Sequence, residues 1–154
     1  MSLREIILML HVAFGLACLL GSVWVFVEVL NASPGNLARI RAVSLGVAGV
    51  MWLSIIVAGY WYLTFYGADK RVILGGPFPP SHNFFMETKE HLVITLLLLA
   101  TYLPIVTGNN LIENNGARRL ALWISALVAF LALAADGMGG VIALGVKMGL
   151  LPHS

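Results

Sequence analysis

Charge is what this sequence has least of. Only 10% of its 154 residues are Asp, Glu, Lys or Arg, against roughly 25% in soluble domains. Too little polar surface is available to cover a water-soluble globule of this length, which excludes a soluble enzyme and a disordered chain. The nine Lys and Arg are scattered among seven Asp and Glu, for a formal net charge of +2. They form no basic stripe of the kind a phosphate backbone requires, so nucleic acid is not an expected partner. A single cysteine, Cys18, excludes an internal disulfide and any cysteine-cluster metal site. There is no internal repeat. What the chain has in quantity is apolar surface: 60% of residues are hydrophobic and the mean hydropathy is +0.94. The class this leaves is an integral membrane protein, with residues 1–154 as one transmembrane domain.

Four apolar runs, at about 6–30, 44–66, 84–106 and 120–148, each supply the ~20 helical residues needed to cross a ~30 Å hydrocarbon core. They predict an all-α, four-helix transmembrane bundle, packed through small residues on the second and fourth helices, with Gly46, Gly49, Ser54, Ala58 and Gly59 on the second. The first run is too long for the apolar region of a signal peptide and is expected to be a retained span. Turn chemistry separates the runs: Asn31-Ala32-Ser33-Pro34-Gly35, then Gly75-Gly76-Pro77-Phe78-Pro79-Pro80, then Gly108-Asn109-Asn110 with Asn114-Asn115-Gly116. Pro104 is expected to kink the third helix.

Four spans put both termini and the long Gly/Pro loop on one side, here side A, and the two shorter loops on side B. The basic residues of side B are Arg39, Arg41, Arg118 and Arg119, all in short loops. That points to side B as cytoplasmic, in a bacterial-type inner membrane, with the termini on the non-cytoplasmic side. Tyr60, Trp61, Tyr62, Phe65 and Tyr66 suit an interfacial aromatic belt near side A.

Ionisable groups inside membrane helices are a functional signal by default. At 1.5 Å per residue, His11 falls roughly 8 Å below side A and His91 roughly 10 Å below it. Asp136, on a helix entering from side B, falls within about 6–10 Å of side A. Three helices thus bring an ionisable side chain to one level. Helical faces at 100° per residue group Arg4, His11, Gly15, Cys18 and Ser22 on the first helix. They group Glu87, His91, Thr95, Leu98 and Tyr102 on the third, and Ser125, Ala129, Ala132, Asp136, Gly139 or Gly140, Ala143 and Lys147 on the fourth. Polar and small stripes are expected to turn inwards, away from lipid. Asp136-Gly137-Met138-Gly139-Gly140 is also a candidate break in the fourth helix.

Two histidines at one depth on separate helices are what bis-imidazole ligation of a haem b requires, with His11 and His91 on the iron. In that arrangement Gly15 lets a porphyrin face lie against the first helix, Arg4 meets the propionates near the water, and Lys89 or Lys147 assists. Asp136 is expected beside the haem, coupling its reduction to proton uptake. A non-haem metal held by His11, His91, Glu87 and Asp136 is a competing use of the same residues. Glu28 is expected to snorkel or cap near side B. His82 is expected to be solvated in the long loop and His153 inert in the tail. Cys18 is expected to pack as a small apolar residue, and Trp24, Trp52, Trp61 and Trp123 to pack or face lipid.

Leu10-His11 early in the first span, Gly15 after it and Lys89 at the start of the third resemble the small four-helix membrane proteins of the copper-resistance-D and membrane protoporphyrinogen-oxidase type. That group's tryptophan-rich first-helix motif is absent. The resemblance implies a haem ligand at His11 and a functional lysine at Lys89. His91, two residues on, favours a two-histidine cytochrome instead. The expected function is therefore electron transfer within the membrane, as a haem-b subunit of a larger redox complex. Its expected partners are the lipid bilayer and other membrane or peripheral redox subunits, with a quinone as a further candidate cofactor for which the sequence offers no site. A cofactor-free accessory subunit and a haem-pathway oxidase are the alternatives.

Overall fold

A computed structural model describes residues 2–151, so His153 lies outside the described residues. Helix α1 runs from Leu3 to Leu30. It starts at a reciprocal cap: the Ser2 hydroxyl accepts from the Glu5 amide, and the Glu5 carboxylate accepts from the Ser2 amide at 2.7 Å. It ends at Asn31, just before Pro34 and Gly35 prevent continuation. Helix α2, Leu37–Trp61, passes through one π-helical turn, Tyr62–Tyr66, into α3, Gly67–Gly75. The second span is thus longer than its apolar run. The extension is amphipathic: Asp69 and Ile73 are buried while Lys70 and Arg71 face out, so packing carries the helix on after hydropathy has stopped. A second π-helical turn, Ser81–Met86, leads into α4, Glu87–Thr107, which runs through Pro104.

Helix α5, Asn115–Leu150, is continuous. The break expected at Asp136–Gly140 does not occur. Glycine lowers helix propensity by about 1 kcal/mol per residue, but an unpaired backbone group in lipid costs several, so the ladder stays closed.

The result is all-α among the described residues. Four helical segments, Leu3–Leu30, Leu37–Gly75, Ser81–Thr107 and Asn115–Leu150, are long and apolar enough to cross a membrane, as a multi-pass integral membrane protein requires. They form a ring in which α1 packs on α2 and α5, and α4 on α2 and α5. The diagonal pairs are held apart. The outer surface is apolar, with Leu20, Leu45, Ile56, Ile105, Phe130 and Leu133 exposed, and is compatible with bilayer contact.

The side B half of the ring is solid. Cys18, Val25, Val29, Val47, Leu103 and Val128 interlock there. Polar groups in this layer are satisfied internally: Ser22, Ser44 and Ser125 each donate at 2.7 Å to the carbonyl four residues back. At the side B end, Glu28 accepts from Arg39 at 2.7 Å and from Asn36 at 2.8 Å. Arg118 donates to the Val29 and Leu30 carbonyls at 3.2 and 2.7 Å, capping α1 from across the bundle.

Of the small residues assigned to the packing face of the second helix, Ser54 is buried against α1 and Ala58 lines the interior, but the three glycines do not make the interface. Gly46, Gly49 and Gly59 are exposed, and a methyl on any of them would meet nothing within 4 Å. The close approach between α1 and α2 is at Gly21, where a Cβ would lie 2.8 Å from Val47 Cγ2. The α2 contribution is a branched side chain reaching a glycine of α1.

Candidate functional site: a cavity in the side A half

Above the packed layer the ring opens into a cavity of about 620 Å³. Cys18, Met51 and Leu96 form its floor, and Arg4 and Asp69 stand at its mouth. From Arg4 to Cys18 is about 21 Å of helix rise. Six acidic, basic or imidazole side chains line it: Arg4, His11, Asp69, Lys89, Glu90 and Asp136.

His11 is anchored from α2. Its Nδ1 lies 3.0 Å from the Ser54 hydroxyl and 3.3 Å from the Ser54 carbonyl oxygen. The carbonyl accepts from Nδ1 in the tautomer that carries its proton there, which leaves Nε2 as the basic nitrogen; the hydroxyl can pair with Nδ1 in either tautomer. Among the described residues Nε2 has no hydrogen-bond partner.

Gly15 does not present backbone to an open space. A Cβ there would sit 2.7 Å from Asp136 Oδ1. The glycine one turn below His11 therefore makes room for the carboxylate of α5, not for a porphyrin face. Gly139 plays the same part for Lys89, whose Nζ lies 3.0 Å from where a Cβ would be. Lys89 thus reaches from α4 across to α5, towards the Asp136 turn. Arg4 is not a free cation: its Nη2 donates to both carboxylate oxygens of Asp69, at 2.5 and 2.6 Å. This pair ties the start of α1 to α3 across the mouth.

His91 faces the other way. Glu87, His91, Leu98 and Tyr102, with Thr95 between them, are all exposed on the outer face of α4. His91 Nδ1 lies 2.7 Å from the Glu87 carbonyl of its own helix. The inward face is Met86, Lys89, Glu90, Val93 and Leu96. Residues 89 and 91 differ by about 200° around a helix, so choosing one as inward turns the other outward. Polar residues near a membrane end can reach the headgroup layer and need no inner partner. The buried apolar row Leu96, Ala100, Leu103, extended back through Val93, was the signal that would have pointed to Lys89. Nor does the non-haem metal set of His11, His91, Glu87 and Asp136 assemble: the described residues contain no group of three or more His, Cys, Asp or Glu placed to hold a metal ion.

His82 is not solvated. It is 4% exposed, and its Nδ1 lies 2.8 Å from the Tyr66 hydroxyl. Tyr66 in turn stacks on Tyr62, with ring centroids 5.1 Å apart. Pro79-Pro80 ahead of Ser81 was the legible sign of a helix start here. One further group escaped the sequence reading: Trp61 lines the cavity, and its indole Nε1 is buried with no hydrogen-bond partner among the described residues.

No protein-family model, no curated protein and no solved structure matches this chain.

Proposed function

We propose that the chain is a membrane haem-b protein that carries electrons as a subunit of a larger redox assembly, with His11 as the axial ligand. The observation that carries this reading is the anchoring of His11. Metal-ligating histidines characteristically donate their other ring N–H to a carbonyl, which fixes the tautomer and aims the basic nitrogen. His11 is placed to do this with Ser54, whose carbonyl oxygen lies 3.3 Å from Nδ1, on the wall of a cavity of macrocycle size. Ligation is through one histidine, because His91 points away. Lys89 supplies a positive charge to the acidic edge of the macrocycle, and Ser54 holds the imidazole plane. Bound haem b would supply one-electron chemistry whose potential depends on this ligand set and its surroundings. The remaining partners are membrane or peripheral redox subunits on side A. The arginine loops favour an orientation with side B in the cytoplasm and the termini on the outer face of a bacterial-type inner membrane.

A second reading, a haem-pathway oxidase, is favoured by one specific observation. His11 and Lys89, the pair implied by the resemblance to the protoporphyrinogen-oxidase type, line the same cavity.

The deciding measurement is the visible spectrum of the purified, reduced protein. A b-type band at on the order of one haem per chain is expected, lost in His11→Ala and kept in His91→Ala. A parent protein without any band, after expression with haem supplied, refutes the haem reading and leaves the cofactor-free accessory subunit. Porphyrinogen oxidation by the haem-loaded protein would separate the oxidase from the electron carrier.

A further inference from the structure

The side A end of the bundle holds a run of aromatic rings apart from His11. Trp61 and Tyr62 line the cavity. One ring further in is Tyr66, 2% exposed, its centroid 5.1 Å from that of Tyr62 and 5.7 Å from that of Trp61. These contacts make a continuous path from the cavity to Tyr66. His82 closes the far end, with Nδ1 2.8 Å from the Tyr66 hydroxyl. That hydroxyl has no other partner among the described residues and almost no access to water. Its proton is satisfied by donation to Nδ1, in the tautomer that carries the ring proton on Nε2.

The partner is a base, and this sets Tyr66 apart from its neighbours. A phenol that loses an electron becomes a strong acid, so the loss is easy only where an acceptor already holds the proton. Of the four tyrosines, Tyr66 is the one whose hydroxyl is hydrogen-bonded among the described residues. The Trp61 indole has no acceptor at all. An electron vacancy entering these rings therefore settles on Tyr66. The pair is also held in place. Tyr66 packs in one cluster with Ile73, Met86 and Ile142. Ser81, beside His82, sits so close to α5 that a Cβ on Gly145 would overlap its side chain. Groups fixed in advance need little rearrangement when charge moves.

We propose that Tyr66 and His82 form a redox site. Tyr66 gives one electron, through Tyr62 or Trp61, to a metal-centred one-electron oxidant in the cavity, and its hydroxyl proton to His82 Nδ1. The O–H bond breaks and an N–H bond forms. The oxidant is reduced by one electron, and a neutral tyrosyl radical stands beside an imidazolium. The reverse transfer restores both. The class of oxidant rests on the redox reading above, but the residues are distinct from His11, and the test supplies its own oxidant.

The test is flash oxidation of the full chain in detergent micelles by a ruthenium(III) polypyridyl complex, followed by optical and electron paramagnetic resonance spectroscopy. It is run on the parent and on haem-free His11→Ala protein. Both should give a long-lived tyrosyl radical that shows coupling to nitrogen in isotopically labelled histidine. Tyr66→Phe keeps the stacked ring and should lose that signal, whereas Tyr102→Phe, on the exposed face of α4, should keep it. A positioned base contributes roughly 100-fold or more to a proton transfer, so His82→Gln should form the radical about 100-fold more slowly. Glutamine can still accept the hydroxyl but cannot hold its proton, so a merely structural bond predicts the parent rate. That rate in His82→Gln overturns the proposal, as does the same long-lived signal in Tyr66→Phe, or a parent radical without histidine coupling. If Tyr66→Phe does not fold, the His82→Gln rate and the labelled parent decide. A Tyr66 radical in a parent with no haem band keeps this inference and sinks the haem reading; a haem band with no such radical does the reverse.

Discussion

Gly15→Ala offers a sharp test of how α1 and α5 meet. The new methyl would fall 2.7 Å from Asp136 Oδ1 and 3.2 Å from Oδ2, well inside ordinary contact distance. The carboxylate or the helix must move. Overpacking of this kind costs about 1–3 kcal/mol, set against a gain of about 0.5–1 kcal/mol from replacing a helical glycine. The expected net loss is up to about 2.5 kcal/mol, or up to roughly 10 °C in melting temperature for a chain of this size. Gly46→Ala is the matched control. It is exposed and its methyl meets nothing within 4 Å, so only the helix-propensity gain remains and the protein should become slightly more stable. Cys18, the sole cysteine and fully buried, provides the assay: a thiol-reactive fluorophore reports its exposure as the bundle melts. Asp136→Ala should remove the penalty, so Gly15→Ala in that background should behave like Gly46→Ala. If Gly15→Ala alone is as harmless as Gly46→Ala, the carboxylate does not lie against α1 and the cavity is shaped differently.

Leu103→Ala, at 0% exposure in the packed layer, should destabilise by about 2–5 kcal/mol, visible in the same melt; a loss under 1 kcal/mol would mean that layer is loosely packed. Arg118→Ala removes two charge-assisted bonds to the end of α1 and should lower stability by about 1–3 kcal/mol, whereas the exposed Arg119→Ala should be near neutral. Asp69→Asn should loosen the first turns of α1 without unfolding the bundle, read as faster amide exchange over residues 3–8; unchanged exchange there would show that the Arg4 pair does not hold the mouth.

The four spans were legible because hydropathy reports burial in lipid directly, and the turns between them are marked by Pro, Gly and Asn. The extension to Gly75 was not legible, since Gly67–Gly75 is polar on one face and its helicity depends on packing against α5. On α1, charge and small residues shared a face with the buried row that begins at Cys18, so Arg4, His11 and Gly15 could be grouped from sequence. On α4 the same rule chose the wrong face. There the polar residues near the membrane end face outward, and Lys89 is the polar residue that continues the buried row. Trp61 could not have been singled out: an indole becomes informative only once its nitrogen is seen to lack a partner. Tyr66 and His82 are sixteen residues apart and meet because α3 and the second π-helical turn pack on α5 and on each other.

The division of the bundle into a solid half and a hollow half makes the protein electrically lopsided. The interlocked layer from Cys18 to Val29 is about 16 Å of helix, and it is the insulating part of the molecule. Filled with water, the hollow half would stay close to the potential of side A, and the transmembrane voltage would fall mainly across the packed layer. A charge delivered from side A to the level of His11 would then do little work against the field. Carrying it on to side B would take about 2.3 kcal/mol per 100 mV. The fold is therefore a one-sided socket, hollow towards side A and packed towards side B.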